Sequence, residues 1–125
     1  MILDTNALSA FADEDPGIEA ALREAEFLAL PVIALGEYRH GIARSRYHEE
    51  YEAWLAGLLA ECRVIEITEP TTKFYADVHS ELREAGKPIP ANDIWIAALC
   101  RQYKLPILSR DHHFDFVPGI HRIEW

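Results

Sequence analysis

The sequence predicts an α/β domain with a central, mostly parallel five-stranded sheet covered by helices on both faces. Three observations carry this. Apolar runs too short for helices alternate with longer segments of helical periodicity. The runs are apolar throughout rather than alternating, as buried parallel strands are. The length, 125 residues, suits one domain, residues 1–125, that buries roughly two-thirds of its unfolded surface.

In order, Ile2-Leu3-Asp4 is a short apolar run ending at a carboxylate, and Ala7 to Ala12 a short helix. Asp13 to Gly17 forms a turn whose Pro16 starts a helix from Gly17 to Glu24. Phe27 to Leu30 is the second strand, broken by Pro31, and Val32 to Ala43 is helical. His48 to Cys62 is a longer helix with Tyr51, Trp54, Leu55, Leu58 and Leu59 on its core face. Val64 to Ile67 is a β-branched third strand, and Thr71 to Ala85 a helix stopped by Gly86. Lys87 to Pro90 is extended. A helix from Asn92 to about Tyr103 leads into a fourth strand, Ile107 to Ser109, and Ile120 to Glu124 is the fifth.

Half the residues are hydrophobic and a quarter charged, which excludes a disordered chain. The longest apolar stretch, Phe27 to Gly36, is interrupted by Pro31 and too short to cross a membrane. Met1 leads into Ile2 without a signal-like segment, so a cytoplasmic protein is expected. Cys62 and Cys100 lack metal-type spacing and read as core thiols in a reducing compartment. Trp54 and Trp95 also fit core positions.

The net charge of −9 counts against a polyanionic partner, but its distribution offsets this. Seven acids face one base in residues 1–30, whereas Tyr38 to His48 holds Arg39, Arg44 and Arg46 and no acid. Local sign steers a polyanion more than the sum does. These three arginines, with Arg110, form a candidate track for a polyanion's phosphates; its bland alternative is an ordinary solvated surface.

Four acids stand out by position. Asp4 ends the first strand and Asp111 follows the fourth, so both fall at the carboxyl edge of a parallel sheet. Glu37 and Asp93 lie early in helices whose N-termini return to that edge. Singly, Asp93 or Asp111 would pass for a cap or a turn former. Jointly, four carboxylates in one cleft repel each other, and protonation or a cation relieves that. An all-oxygen set selects Mg²⁺ or Mn²⁺, which can activate water and stabilise phosphoryl charge. Thr5, Asn6 and Ser109 are placed to orient the carboxylates by hydrogen bonds.

Leu3-Asp4-Thr5-Asn6, Glu37 at an apolar-to-helix junction, Asn92-Asp93 with Ile96-Ala97-Ala98, and Ser109-Arg110-Asp111 with Phe114 resemble the four motifs of the PIN-domain ribonucleases. The short form is similar to the VapC-type toxins of toxin–antitoxin modules. The resemblance spans essentially the whole chain. It implies Mg²⁺- or Mn²⁺-dependent endonucleolytic cleavage of RNA, with Asp4, Glu37, Asp93 and Asp111 as metal-binding acids. It further implies homodimerisation and a cognate antitoxin, in a heterotetramer or larger complex. Ser109 stands where the family more often has Thr, keeping the hydroxyl. The first strand is shorter than usual, which points to a few residues missing upstream. His112 could reach phosphate, but no catalytic His is needed if metal-activated water attacks. Two alternatives remain at this point: a catalytically silent domain of the same fold, and a small metal-dependent phosphatase using Asp4, against which Asn6 stands where a second acid is expected.

Overall fold

The computed structural model describes residues 1–125. Strands β1 (Ile2–Leu3), β2 (Ala29–Pro31), β3 (Arg63–Ile65), β4 (Ile107–Leu108) and β5 (Arg122–Ile123) form one sheet in the order β3-β2-β1-β4-β5. Every neighbouring pair is parallel, so the sheet is wholly rather than mostly parallel. Ile2 sits between Ala29 and Ile107, and Leu3 pairs with Leu108. The chain moves outward from β1 through β2 and β3, then returns to place β4 on the other side of β1. The strand order therefore reverses between β1 and β4, and the crevice beyond their carboxyl ends is where such sheets take ligands.

The helices are α1 (Thr5–Ala12), α2 (Pro16–Arg23), α3 (Val32–Ile42), α4 (His48–Glu61), α5 (Glu69–Glu84) and α6 (Ala91–Tyr103). Asp15 caps α2 by accepting from Gly17 N at 2.8 Å, which leaves Pro16 as its first residue, where no amide donor is missed. Helix α5 begins before the expected Thr71, because Thr71 Oγ1 accepts from Thr68 N at 3.0 Å and closes the first turn. Gly86, at φ +66°, ends it in the left-handed region as expected. Ile2, Leu3, Leu8, Leu30, Ile96, Leu99, Ile107, Leu108 and Phe114 are fully buried and form the core on both sides of β1 and β4.

Several boundaries differ from expectation. Pro31 belongs to β2, paired with Ile65, because a proline can end a strand in extended backbone (φ −64°, ψ 139°) without a ladder donor. Phe27 and Leu28 precede the strand. Strand β3 stops at Ile65 and is largely exposed. A 3₁₀ helix, His112–Phe116, which the sequence reading lacked, follows β4 directly. Cys100 is buried, and burial and the Asp4 charge push its thiol up to about 12; Cys62 is only half-buried. The tryptophans are half-buried rather than central: Trp54 meets Phe11 edge-on at 5.3 Å, and Trp95 stacks on Tyr75 at 3.9 Å, joining α6 to α5. No helix is long and apolar enough to cross a membrane.

Candidate active site

The four acids approach the carboxyl edge of the sheet by four different routes, and Glu37 lines a hollow between α1 and α3 with Thr5 and Ser9. Asp4 leaves β1 and is the N-cap of α1 by position, yet its side chain makes no capping bond. Instead Asp4 Oδ2 accepts from Ser109 Oγ at 2.7 Å and Asn6 Nδ2 at 2.9 Å, at a residue only 4% exposed. Glu37 enters from the second turn of α3. Asp93 lies in the first turn of α6, whose N-cap is Pro90, so its carboxylate is not spent on capping. Asp111 does cap: its Oδ1 accepts from His113 N at 2.9 Å and starts the 3₁₀ helix. The ordinary reading of Asp111 as a turn former therefore holds in the structure.

Ser109 is fully buried and ties the site together. Its hydroxyl donates to Asp4 and accepts from Asp111 N (2.9 Å) and Asn6 Nδ2 (3.2 Å). Asn6 spans the same gap, its Oδ1 accepting from Arg110 N at 3.1 Å. Both residues therefore hydrogen-bond Asp4 and hold the loop after β4 against the start of α1. Thr5 Oγ1 is shielded from water and acts on Glu37, whose carboxyl it lowers against the effect of burial.

The four acids lie near enough for their charges to act on one another. Burial pushes the Asp93 carboxyl up to about 6, and the charges of Asp4, Asp111 and Glu37 add to this in that order. Burial raises Asp4, against the Ser109 hydrogen bond and with the Asp111 charge. Glu37 is raised by burial and then by the Asp4 charge. Like charges act this way only at short range in a partly desolvated site. Donor atoms of Asp93, Asp111 and His113 all lie within 4.8 Å of one another. Asp4 and Glu37 border this trio through their charges but do not belong to it.

His113 is the residue that sequence reasoning passed over. His112 drew attention as a possible phosphate contact, yet its Nδ1 lies 3.1 Å from Asp115 Oδ2 and 3.0 Å from Arg122 Nη2, with the ring exposed. The 3₁₀ turn directs His113 toward the acids instead, with Nδ1 3.1 Å from Asp111 Oδ1 and 3.5 Å from Asp93 Oδ2. An Asp followed two residues later by His was the available signal, but only the tight turn makes it meaningful.

The arginines divide. Arg39 pairs with Glu52 at 3.4 Å on the exposed face of α3. Arg44 and Arg46 lie beyond the end of α3, in the turn before α4; Arg46 covers the Tyr47 ring, while Arg44 is exposed and makes no ion pair. Arg110 lies over the Trp125 ring at 4.3 Å and 3.6 Å from Asp15 Oδ2, so it already has partners within the chain.

The donor set fits a hard divalent cation: an Asp93 carboxyl raised first by burial and then by the charges of Asp4, Asp111 and Glu37, with donor atoms of Asp111 and His113 within 4.8 Å of its own. Asp4, buried and held by two hydrogen bonds on one oxygen, lends the phosphatase alternative no support.

Comparison with known proteins gives the same class. The family model of the PIN domain matches residues 1–120, and the chain belongs to that family. It is 26% identical over 125 residues to Ribonuclease VapC5 of Mycobacterium tuberculosis, covering 98% of this chain and 91% of that one. It is 29% identical to Toxin FitB of Neisseria gonorrhoeae, covering 89% and 87%. Among solved structures, VapBC2 from Rickettsia felis bound to a promoter DNA fragment superposes with a TM-score of 0.88 at 22% identity, covering 99% and 97%. FitAcB from Neisseria gonorrhoeae gives 0.83 at 26%, covering 98% and 95%. The fold expected from the sequence, and its VapC-type resemblance, are thereby established.

Proposed function

We infer that residues 1–125 act as one domain, a divalent-metal-dependent endoribonuclease that serves in the cytoplasm as the toxin of a toxin–antitoxin module. The observation that carries this reading is the cluster of Asp93, Asp111 and His113 donors within 4.8 Å of one another, with the charges of Asp4 and Glu37 acting on it. Such a cluster is unfavourable when ionised and becomes favourable around a cation. The ribonuclease and toxin names of VapC5 and FitB support the assignment, and the resemblance to VapC-type toxins extends it to a cognate antitoxin and homodimeric assembly.

Asp4, Glu37, Asp93 and Asp111 would hold Mg²⁺ or Mn²⁺. When bound, the ion makes water more acidic and offsets charge on phosphoryl oxygens. The chain's own part is positional. Ser109 and Asn6 fix Asp4 and the Asp111 loop before substrate arrives, so little reorganisation is needed. Asp93 and Glu37 are brought to the acids from separate helices, α6 and α3. In-line attack by water predicts a 5′-phosphate and a 3′-hydroxyl.

The test is metal-dependent cleavage of cellular RNA by the wild type and by Asp93→Asn, with end chemistry determined. Cleavage abolished in the variant, with folding intact, is the expected result. Full activity of the variant, or a 2′,3′-cyclic phosphate product, overturns the reading.

A further inference from the structure

We propose that His113 is a nitrogen ligand of the ion held at Asp93 and Asp111, and that the site therefore selects Mn²⁺ over Mg²⁺. This rests on the metal-dependent reading above and adds a residue and an ion preference to it.

The geometry is that of neighbouring ligands. Octahedral bonds of about 2.1 Å place adjacent donor atoms about 3 Å apart. His113 Nδ1 stands 3.1 Å from Asp111 Oδ1 and 3.5 Å from Asp93 Oδ2, and all three donors fall within 4.8 Å of one another. Nδ1 is shielded from water and makes no hydrogen bond, although the ring's outer part is exposed. A shielded ring nitrogen that faces two carboxylate oxygens without a hydrogen bond is costly unless a proton or a cation lies between them. A bare divalent cation is smaller than a water molecule, so it can occupy a space that water does not.

Two local features aim the ring. The Asp111 Oδ1 bond to His113 N forms the turn that carries the side chain back toward the acids. Phe116 lies against the imidazole, with ring centroids 6.3 Å apart. His112, adjacent in sequence, is turned away to Asp115 and Arg122 and serves as an internal control.

The selectivity follows from donor chemistry. Mg²⁺ takes oxygen ligands and parts with its water reluctantly. Affinity at sites containing imidazole rises across the first-row transition ions, of which Mn²⁺ is the hardest and the best matched to carboxylates. One imidazole among carboxylates shifts the balance toward Mn²⁺ without excluding Mg²⁺. The competing role for His113 is a protonated counter-ion to Asp93 and Asp111, which a bound cation would displace.

The test is electron spin-echo envelope modulation on the full chain titrated with Mn²⁺, together with calorimetric affinities for Mn²⁺ and Mg²⁺. The expected wild-type signal is modulation from a directly bound ¹⁴N, lost in His113→Gln and retained in His112→Gln. The Mn²⁺-over-Mg²⁺ preference should fall roughly tenfold or more in His113→Gln, the scale on which residues supporting a metal site act. Mn²⁺ bound in a manner abolished by Asp93→Asn, but without nitrogen modulation in the wild type, overturns the proposal alone and leaves His113 a counter-ion. Absence of Mn²⁺ binding, or binding indifferent to Asp93→Asn, overturns the metal-dependent reading as well.

Discussion

Replacing Asp93 by Asn should remove activity and stabilise the metal-free protein at the same time. A carboxyl whose ordinary value is 3.8, held at about 6 in the folded chain, carries about 3 kcal/mol of unfavourable free energy once ionised, at 1.36 kcal/mol per tenfold change in the equilibrium. Asn, nearly the same shape, carries none of it. The variant gives up a negative charge in the first turn of α6, worth about 0.3–1 kcal/mol. The net expectation is a gain of roughly 2 kcal/mol above pH 7 in EDTA. The sign with pH is fixed: the folded value lies above the unfolded one, so the folded chain binds the proton first as pH falls. Wild-type stability should therefore rise as pH falls from about 6 toward 3.8, and Asp93→Asn should lose that part of the slope. Urea titrations from pH 4 to 8, compared at constant m-value, measure both quantities. A variant no more stable than wild type at pH 7.5 in EDTA would refute the claim that the acids burden an empty pocket.

The other expectations are narrower. Mg²⁺ or Mn²⁺ at a hundredfold excess over its dissociation constant should stabilise the wild type by about 2.7 kcal/mol; a melting temperature unchanged by metal counts against a preformed site. Ser109→Ala should cost about 1–3 kcal/mol and weaken metal binding roughly 10–100-fold, because Asp4 and the Asp111 amide lose a buried partner; wild-type stability by urea titration would deny Ser109 that role. Arg44→Glu, at an exposed arginine without an ion pair, should raise KM for RNA while leaving kcat unchanged and make binding less salt-dependent. Unchanged salt dependence would identify that arginine as ordinary solvated surface.

Much of the site was legible because its residues broke local patterns. Asp4 closes an apolar strand and Glu37 interrupts an apolar helical start, and neither placement has a secondary-structure reason. Asp111 was harder, since a cap is what it partly is. The 3₁₀ turn was not legible, and with it went the choice between His112 and His113: identical side chains one residue apart, separated only by the turn's geometry. Pro31 misled in the other direction, since a rule that removes proline from strands holds for the interior of a ladder and not for its last residue.

What the sequence determined alone is what short-range physics controls: roughly where the strands and longer helices fall, that the central strands are buried and parallel, and which end of the sheet each acid approaches. The strand order, and thus the crevice between β1 and β4, depends on which apolar faces cover which. That is a matter of burial across the whole chain. The same holds for protonation. A carboxylate is ordinary in solution, and only the folded chain withdraws it from water and sets three other charges beside it.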